Sequence, residues 1–325
     1  MIVVTGGAGF IGSAVVRALN ARGADDPVVV DDLTDGDKFR NLVGASLGDY
    51  VDRDDFDAML DRDDAMLARV DVVVHQGACA DTTVRDGRRM LRDNYEPSKR
   101  VAMLCARRKI PLVYASSAAV YGASPESREE PACEAPLNVY AWSKLLFDQW
   151  VRRNLLPAPA APVTGLRYFN VYGPGEDHKG PMASVAWQLD RQARAERRVR
   201  IFGAGEGAAA GEHRRDFVHV DDVAETVCWF VEHPGASGIF NVGTGEARSF
   251  RELAGLVLAA RGLPDDALEY APFPEALRGR YQAFTRADLT RLRARGCDVA
   301  FRPLEVGVPE YLARDGSMVQ HRGRL

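Results

Sequence analysis

The first half of the chain alternates between two patterns of apolar and polar residues. Short runs of β-branched residues without internal alternation, such as the valines at 28–30 and 72–74, are typical of strands buried on both faces. Longer stretches with helical spacing separate these runs and lie near residues 11–22, 54–68, 86–109 and 139–155. The strands that we predict are residues 2–5, 28–31, 72–75, 112–116 and 163–168.

This alternation of strand and helix indicates the fold class. Parallel strands that are joined through helices require right-handed crossovers, which place helices on both faces of one sheet. We therefore predict an α/β fold of the Rossmann type, with a doubly wound parallel sheet.

The pattern becomes irregular after about residue 170, where loops rich in Gly and Pro interrupt the chain. Regular segments return between residues 216 and 242. We predict a larger sheet domain, formed by residues 1–169 and about 214–245. A smaller, discontinuous C-terminal lobe would comprise about 170–213 and 246–325.

The composition of the 325 residues excludes several classes of protein. With 42 basic and 46 acidic residues the net charge is −4, so neither nucleic acid nor a membrane surface is an expected partner. The chain shows no secretory leader, and no apolar run reaches the ~18 residues of a membrane span, so we expect a cytoplasmic protein. The five cysteines and six histidines are scattered, and we expect no metal site.

A glycine-rich turn follows the first predicted strand. Gly6, Gly9 and Gly12 leave the backbone free to turn tightly and to approach a pyrophosphate, which the N–H groups of the next helix would bind. The strand before the turn, the helix after it and Asp31 at the end of the second strand together predict a dinucleotide site. A glycine-rich turn that binds nothing is the alternative.

Residues near the end of the second strand bear on the choice of dinucleotide. A carboxylate at Asp31, with Asp32 beside it, would accept hydrogen bonds from the adenosine ribose and favour NAD. Lys38 could pair with a 2′-phosphate and favour NADP, or it could be a solvated loop lysine. The small residues Gly77 and Ala78 follow the third strand and would let the dinucleotide pass close to the backbone.

Tyr140 and Lys144 form a YxxxK pair at the start of a predicted helix, where one turn places both on the same face. An ammonium and a positive nicotinamide ring would both favour the phenolate, which could then take a proton from a sugar hydroxyl. Ser116 or Ser117, at the end of the fourth strand, could hold the reacting oxygen. All of these groups would meet at the carboxyl edge of one parallel sheet.

The stretches at 5–13 (TGGAGFIGS), 114–118 (YASSA) and 136–144 (PLNVYAWSK) occur in many nucleotide-sugar epimerases and dehydratases of the extended short-chain dehydrogenase type. Two stretches are more specific, at 178–186 (HKGPMASVA) and 279–289 (GRYQAFTRADL). With them, the sequence resembles the ADP-L-glycero-D-manno-heptose 6-epimerases along nearly its whole length.

This resemblance implies an enzyme that acts on ADP-D-glycero-β-D-manno-heptose at C6, through a 6-keto intermediate, in the synthesis of a lipopolysaccharide core precursor. It implies one tightly bound NADP per subunit, with Lys38 as the partner of its 2′-phosphate. Lys179 becomes a second acid/base beside Tyr140, with a loop lysine bound to phosphate as its alternative. A homo-oligomer is implied as well, of which a pentamer is one form.

The resemblance assigns binding roles residue by residue. The larger domain would hold the cofactor, and the smaller lobe the substrate. The implied cofactor contacts are Gly6, Gly9, Phe10, Ile11, Gly12, Asp31, Asp32, Lys38, Gln76, Gly77, Ala78, Cys79, Asn94, Lys144, Val171 and Lys179. The implied substrate contacts are Ser116, Asn170, Pro181, Gln188, Phe202, Arg215 and Tyr281. Arg215 could grip a diphosphate or instead pair with an aspartate, and Tyr281 could be a core aromatic.

Several positions depart from the family pattern. Residues 203–213 look extended by an Ala/Gly insertion, Pro181 and Gln188 replace a small polar residue and a histidine, and Gln76 replaces an acid. Two other functions stay open. A UDP-hexose 4-epimerase would not need Lys179, and a non-catalytic NAD(P)-sensing protein would not need Tyr140. A 4,6-dehydratase is disfavoured, since the two serines are followed by alanines.

Overall fold

The computed structural model describes residues 1–24, 26–279 and 281–321. Residues 25, 280 and 322–325 lie outside the described part, including the end of the predicted C-terminal lobe. The strands of the described part are β1 (Ile2–Thr5), β2 (Val28–Asp31), β3 (Asp49–Asp52), β4 (Val72–His75), β5 (Leu112–Ser117), β6 (Val163–Tyr168), β7 (Asn170–Tyr172), β8 (Val199–Phe202), β9 (Arg214–Arg215), β10 (Phe217–His219), β11 (Gly238–Val242), β12 (Arg248–Ser249) and β13 (Leu268–Ala271).

The α-helices lie between these strands and after the last one. They are α1 (Phe10–Ala21), α2 (Arg53–Arg62), α3 (Gly87–Met90), α4 (Glu96–Arg108), α5 (Val139–Asn154), α6 (Val185–Glu196), α7 (Val220–Glu232), α8 (Phe250–Ala260), α9 (Thr290–Ala294) and α10 (Leu304–His321). A π-helical turn at Leu91–Tyr95 joins α3 to α4, and short 3-10 turns include Ala118–Tyr121 and Asp177–Met182.

Among the described residues, seven strands form one sheet in the order β11-β6-β5-β4-β1-β2-β3, and every neighbouring pair is parallel. The predicted α/β doubly wound fold is confirmed, and four of the predicted strands have the predicted bounds. The strand order reverses between β1 and β4, and a crevice at such a reversal is where open α/β sheets bind ligands.

Apolar side chains cover both faces of the sheet. On one face, Val15 of α1 and Val227 of α7 are fully buried against the strands, within a cluster that also contains Val4 and Val74. On the other face, helices α2, α4 and α5 supply a second buried cluster. Both faces of the strands are therefore buried, which explains their unbroken runs of valine.

The chain after residue 170 is more regular than its Gly- and Pro-rich loops indicate. Helices α6, α8 and α10 pack around a further cluster that includes Leu189, Leu253, Val257 and Leu312, and β8 pairs with β13. The proposed division into a sheet domain and a discontinuous lobe stays a prediction. In the part of the chain that the structure describes, no helix is long and apolar enough to cross a membrane.

Candidate active site

A cleft of about 540 Å³ opens at the carboxyl edge of the sheet, beside the reversal of strand order. Its size is that of a site for a small organic ligand or cofactor. The predicted residues that line it are Gly6, Gly9, Phe10, Ile11, Gly12, Asp31, Asp32, Lys38, Gln76, Gly77, Ala78, Cys79, Ser116, Tyr140, Lys144 and Lys179.

The glycine-rich turn between β1 and α1 fits a dinucleotide pyrophosphate. Gly6 has φ +67°, and a Cβ atom there would lie 2.6 Å from the backbone nitrogen of Gly77. A Cβ atom on Gly12 would lie 2.0 Å from the carbonyl oxygen of Gly6. No side chain caps the N-terminus of α1, whose N-cap residue is Gly9. The N-terminus of this helix lines the cleft without a side-chain cap, so its first N–H groups can bind an anion.

The polar side chains at the end of β2, around Asp31, already contact one another and the nearby backbone. Asp31 accepts hydrogen bonds from the backbone N–H groups of Ala8 (2.7 Å) and Asp32 (2.7 Å), and it forms an ion pair with Lys38. The Lys38 ammonium also donates to the carbonyl oxygen of Asp32 at 2.7 Å. Arg53 lies 3.6 Å from the Asp32 carboxylate, and 54% of its side chain is exposed. The corner thus holds two acidic and two basic side chains.

Asn94 and Val171 do not line the cleft among its described residues. The Asn94 side chain accepts a hydrogen bond from the backbone N–H of Cys79 at 2.7 Å and donates to its carbonyl oxygen at 3.0 Å. Asn94 therefore holds the segment after β4 against the π-helical turn. Val171 lies in β7, where it pairs with Val218 of β10.

Tyr140 lies in the first turn of α5, where the Asn138 side chain caps the helix by accepting a hydrogen bond from Ala141 N–H at 2.8 Å. Burial raises the pKa of Tyr140 above its ordinary value, and a hydrogen bond with the Ser117 hydroxyl only partly offsets this increase. One turn later, the Lys144 ammonium donates to the carbonyl oxygen of Ala115 at 3.1 Å.

The environment of Lys144 favours proton exchange near neutral pH. Burial lowers the pKa of Lys144 to about 8, and the negative charge of Asp148 opposes this effect. A lysine in this range exchanges protons with solvent and neighbours more readily than an exposed lysine does.

The Ser116 hydroxyl is bonded to a buried carboxylate. It donates to Asp148 Oδ2 at 2.9 Å, and Tyr114 donates to the other oxygen of this carboxylate at 2.9 Å. Arg167, which is fully buried, bonds the same carboxylate at 2.9 Å through Nε. Ser116 thus lines the cleft and also belongs to a buried ionic network, while Ser117 bonds the phenol of Tyr140.

Lys179 enters the cleft from the 3-10 turn Asp177–Met182. Its ammonium lies 3.4 Å from Oε2 of the buried Glu176 and 4.8 Å from the centre of the Phe10 ring. Pro181 and Gln188, two other predicted residues, stabilise the same segment. The Gln188 amide donates to the carbonyl oxygen of Pro181 at 3.2 Å. Neither of these two lines the cleft.

The remaining predicted substrate residues gather in a second group beside β9. The Arg215 guanidinium lies 4.7 Å from the centre of the Tyr281 ring, and Tyr281 packs edge-on against Phe202 and Phe273. Arg215 is only 6% exposed, and burial lowers its pKa. Asn170 is exposed at the start of β7, and its side-chain oxygen lies 3.4 Å from the Thr285 hydroxyl.

Asp216 and Asp221 do not neutralise Arg215, although the sequence left these ion pairs open. The Asp216 carboxylate accepts the N–H and hydroxyl of Thr244 and the backbone N–H groups of Gly245 and Ala287, all within 2.9 Å. Asp221 instead pairs with Arg302 and Arg314. A buried guanidinium beside aromatic rings suits an anionic ligand such as a diphosphate.

Sequence reasoning missed three residues of this region: Arg53, Asp148 and Glu176. It named Ser117 as an alternative to Ser116. Arg53 follows β3, a strand whose sequence (DYVD) lacks an apolar run. Asp148 follows Lys144 by one helical turn, and Glu176 precedes Lys179 by three residues. Helical spacing was thus the signal that could have identified Asp148.

Three features define this protein as a dinucleotide-binding protein of the Rossmann class. They are the parallel sheet, the glycine cradle formed by Gly6, Gly9 and Gly12, and the pair of Tyr140 and Lys144. The sequence model of the NAD dependent epimerase/dehydratase family matches residues 2–243, and the chain belongs to this family.

Within it, the chain is similar to two heptose epimerases. It is 52% identical to the ADP-L-glycero-D-manno-heptose-6-epimerase of Alkalilimnicola ehrlichii over 96% of each chain. The crystal structure of the Helicobacter pylori ADP-L-glycero-D-manno-heptose-6-epimerase matches with a TM-score of 0.82 and 30% identity, over 97% of this chain and 96% of that one. UDP-glucose 4-epimerase of Thermus thermophilus in complex with NAD matches with a TM-score of 0.78 and 29% identity, over 96% and 97% of the two chains.

Proposed function

We propose that this protein converts ADP-D-glycero-β-D-manno-heptose to ADP-L-glycero-β-D-manno-heptose by inverting C6. The observation that carries the proposal is that Lys179, from the HKGPMASVA stretch, lines the same cleft as Tyr140 and the glycine cradle. Two acid/base groups in one cleft suit a centre outside the sugar ring. The 52% identity to a heptose epimerase over nearly the full length supports the same substrate.

The cleft fits a nicotinamide dinucleotide, with the glycine cradle and the N-terminus of α1 holding its pyrophosphate. A dinucleotide held there would supply a hydride acceptor and donor for the sugar carbon, and the positive charge of its oxidised form would favour the phenolate of Tyr140. We propose NADP as the cofactor, with Lys38 and Arg53 facing its 2′-phosphate. NAD is the alternative, because Asp31 and Asp32 lie in the same corner.

We assign the proton transfers to Tyr140 and Lys179. One of them takes the proton from the C6 hydroxyl as the 6-keto intermediate forms. Rotation about the C5–C6 bond then presents the opposite face of the carbonyl and moves its oxygen. The other group protonates the oxygen at its new position as the hydride returns, so that each group serves one epimer.

Ser117 and Lys144 support this chemistry. We assign the holding of the reacting oxygen to the Ser117 hydroxyl, which bonds Tyr140, whereas the sequence left Ser116 or Ser117 open and favoured Ser116. Lys144, whose pKa burial lowers to about 8, would exchange protons with the Tyr140 phenol. Asp148 lies one turn after Lys144, and its negative charge opposes the lowering of the lysine's pKa.

We propose that Arg215 binds the diphosphate and that Tyr281 and Phe202 pack against the nucleoside or sugar. Asn170, Pro181 and Gln188 would complete the wall between this group and the cleft. A homo-oligomer, with a pentamer as one form, and a cytoplasmic location belong to the same proposal. The product would serve as a precursor of the lipopolysaccharide core.

The test is to incubate the purified protein, without added cofactor, with ADP-D-glycero-β-D-manno-heptose and separately with UDP-glucose. Sugar protons are followed by NMR. New L-glycero signals from the heptose alone are expected, and they would also demonstrate retained cofactor. Galactose signals from UDP-glucose with an unchanged heptose would replace this proposal with a hexose 4-epimerase, a reading that the similarity to the Thermus thermophilus enzyme favours.

A further inference from the structure

Glu176 is a buried carboxylate at the edge of the cleft, and it has no place in the chemistry described so far. Its side chain is fully buried, whereas 21% of the paired Lys179 side chain is exposed. A buried carboxylate is costly unless hydrogen bonds and an opposite charge compensate it. The partners of Glu176 therefore show what it is built to hold.

Three neutral donors fix the orientation of the carboxylate. Ser184 donates its backbone N–H to Oε2 at 2.6 Å and its hydroxyl to Oε1 at 2.7 Å. The backbone N–H of Gly173 donates to Oε1 at 3.2 Å. These contacts tie the two ends of the segment that carries Lys179, and they leave Oε2 directed at the ammonium.

The Lys179 side chain has four rotatable bonds and would sample many positions without an anchor. Its ammonium lies 3.4 Å from Oε2 of Glu176 and above the ring of Phe10, which follows the glycine cradle at the start of α1. The carboxylate and the ring contact the ammonium together. This arrangement restricts the ammonium to the wall of the cleft.

We propose that Glu176 is a positioning residue, which holds the Lys179 ammonium where it exchanges a proton with the oxygen on C6 of the substrate. This inference rests on the proposed function and goes beyond it, because it assigns the placement of the second acid/base group to a particular carboxylate. Glu176 itself does not touch the substrate.

The charge of Glu176 is sensitive to pH. Burial raises the pKa of Glu176, and the Lys179 ammonium and the bonds from Ser184 and Gly173 lower it. Asp177 and His178 are the other titratable neighbours on the same turn, and His178 is faced by Lys38, Asp35 and Asp31 from β2 and the following turn. Protonation of Glu176 removes the negative charge that holds the ammonium, and Glu176→Gln removes the same charge at every pH.

The experiment compares Glu176→Gln with Asp177→Asn. Asp177 is the next residue on the same turn, so both variants remove one negative charge from this segment, but Asp177 bonds the indole of Trp187 rather than Lys179. In Glu176→Gln we expect kcat to fall ~10- to 100-fold, the scale of a displaced acid/base group, while KM changes less than ~3-fold. Asp177→Asn should remain near wild type in both constants.

Two further measurements separate positioning from a structural role. Glu176→Asp, which keeps the charge, should regain part of the lost kcat, and Glu176→Gln should lack the acidic fall in kcat that wild type and Asp177→Asn share. Equal kcat in Glu176→Gln and Asp177→Asn would overturn the proposal. The proposal would also be overturned if Glu176→Asp had a native circular dichroism spectrum but a kcat no higher than that of Glu176→Gln.

The last measurement needs neither a variant nor turnover. Lys99 matches Lys179 closely, since 23% of its side chain is exposed and its ammonium lies 4.4 Å from the Tyr95 ring, but its partner Glu96 is exposed. Competitive acetylation read by mass spectrometry should label Lys179 several-fold more slowly than Lys99. Equal labelling would overturn the inference even if the heptose is epimerised, whereas an unreactive heptose with slow labelling would reject only the proposed function.

Discussion

The Ser117 hydroxyl forms a hydrogen bond with the Tyr140 side chain. The hydroxyl of the preceding serine, Ser116, donates instead to the buried carboxylate of Asp148 at 2.9 Å. Successive side chains of a strand point to opposite faces, so two adjacent serines at the end of β5 have different surroundings. Ser117 bonds the phenol, whereas Ser116 lines the cleft and bonds Asp148.

Substitutions at these two serines should therefore have different effects. Ser117→Ala should lower kcat by ~10-fold or more, because the phenol loses its hydroxyl partner. Ser116→Ala should lower the free energy of unfolding by ~1–3 kcal/mol, since a buried carboxylate oxygen loses a donor. Steady-state kinetics and urea unfolding of both variants measure the two effects. If instead Ser116→Ala lost kcat and Ser117→Ala lost stability, the hydroxyl that holds the reacting oxygen would be that of Ser116.

The two acid/base groups should each be indispensable. Tyr140→Phe and Lys179→Ala should each keep the fold and reduce turnover by at least ~100-fold, a typical contribution of a positioned acid or base. Turnover of the heptose from each epimer is the measurement, with circular dichroism as the control for folding. A rate near that of wild type in either variant would exclude that residue from the mechanism.

Cofactor choice depends on the corner at the end of β2. Lys38→Ala should weaken NADP more than NAD, because the lysine would pair with the 2′-phosphate. It must leave its ion pair with Asp31 to do so, and we therefore expect Arg53→Ala, which alters a more exposed cation, to weaken NADP as well. Binding of both dinucleotides to stripped protein is measured by fluorescence titration. Equal loss of both in the Lys38 variant would contradict its role.

His75 should make stability depend on pH. It is 6% exposed, between the hydroxyls of Thr5 (2.7 Å) and Ser98 (2.9 Å), and burial lowers its pKa from 6.5 to about 3. The unfolded chain therefore binds a proton more readily, so this contribution to stability is complete above pH 6.5 and declines as pH falls toward 3. At about pH 5 the loss would be about 2 kcal/mol.

Urea unfolding between about pH 7 and pH 5 measures this loss, with His75→Asn as the comparison. The variant should be less stable at neutral pH but should show a smaller decline on acidification. His219, whose pKa burial also lowers, to about 4, remains in both proteins and cancels in the comparison. Parallel declines would show that His75 is not the responsible group.

The sequence pattern predicted the strands best where both faces are buried. β1, β2 and β4 have the predicted bounds because each contains an unbroken apolar run, and β6 has them although Thr164, Gly165 and Arg167 interrupt its apolar residues. β3 was missed, because its four residues include the exposed Asp49 and Asp52, and it lies at the sheet edge. Its parallel pairing with β2 decides its conformation, and no local pattern encodes that pairing.

The sequence predicted the motifs of the candidate site but not the side-chain contacts that hold those motifs in place. Residues of the glycine turn and the YxxxK pair were found because local spacing brings them together. The contacts of Glu176 and the choice between Ser116 and Ser117 depend on packing between distant segments. Arg215 was predicted from a family motif, yet that Asp216 does not pair with it became visible only from the bonds of Asp216 to Thr244, Gly245 and Ala287.

The position of β11 in the sheet has a consequence for biosynthesis. β11 pairs with β6 in register from Gly238 opposite Thr164 to Val242 opposite Tyr168, although residues 169–237 separate the two strands in the chain. During translation, β6 would leave the ribosome with an unpaired edge, and its partner would follow many seconds later at ordinary elongation rates. A nascent chain that pauses in this interval presents an apolar strand edge, the kind of surface that chaperones cover and that aggregation extends.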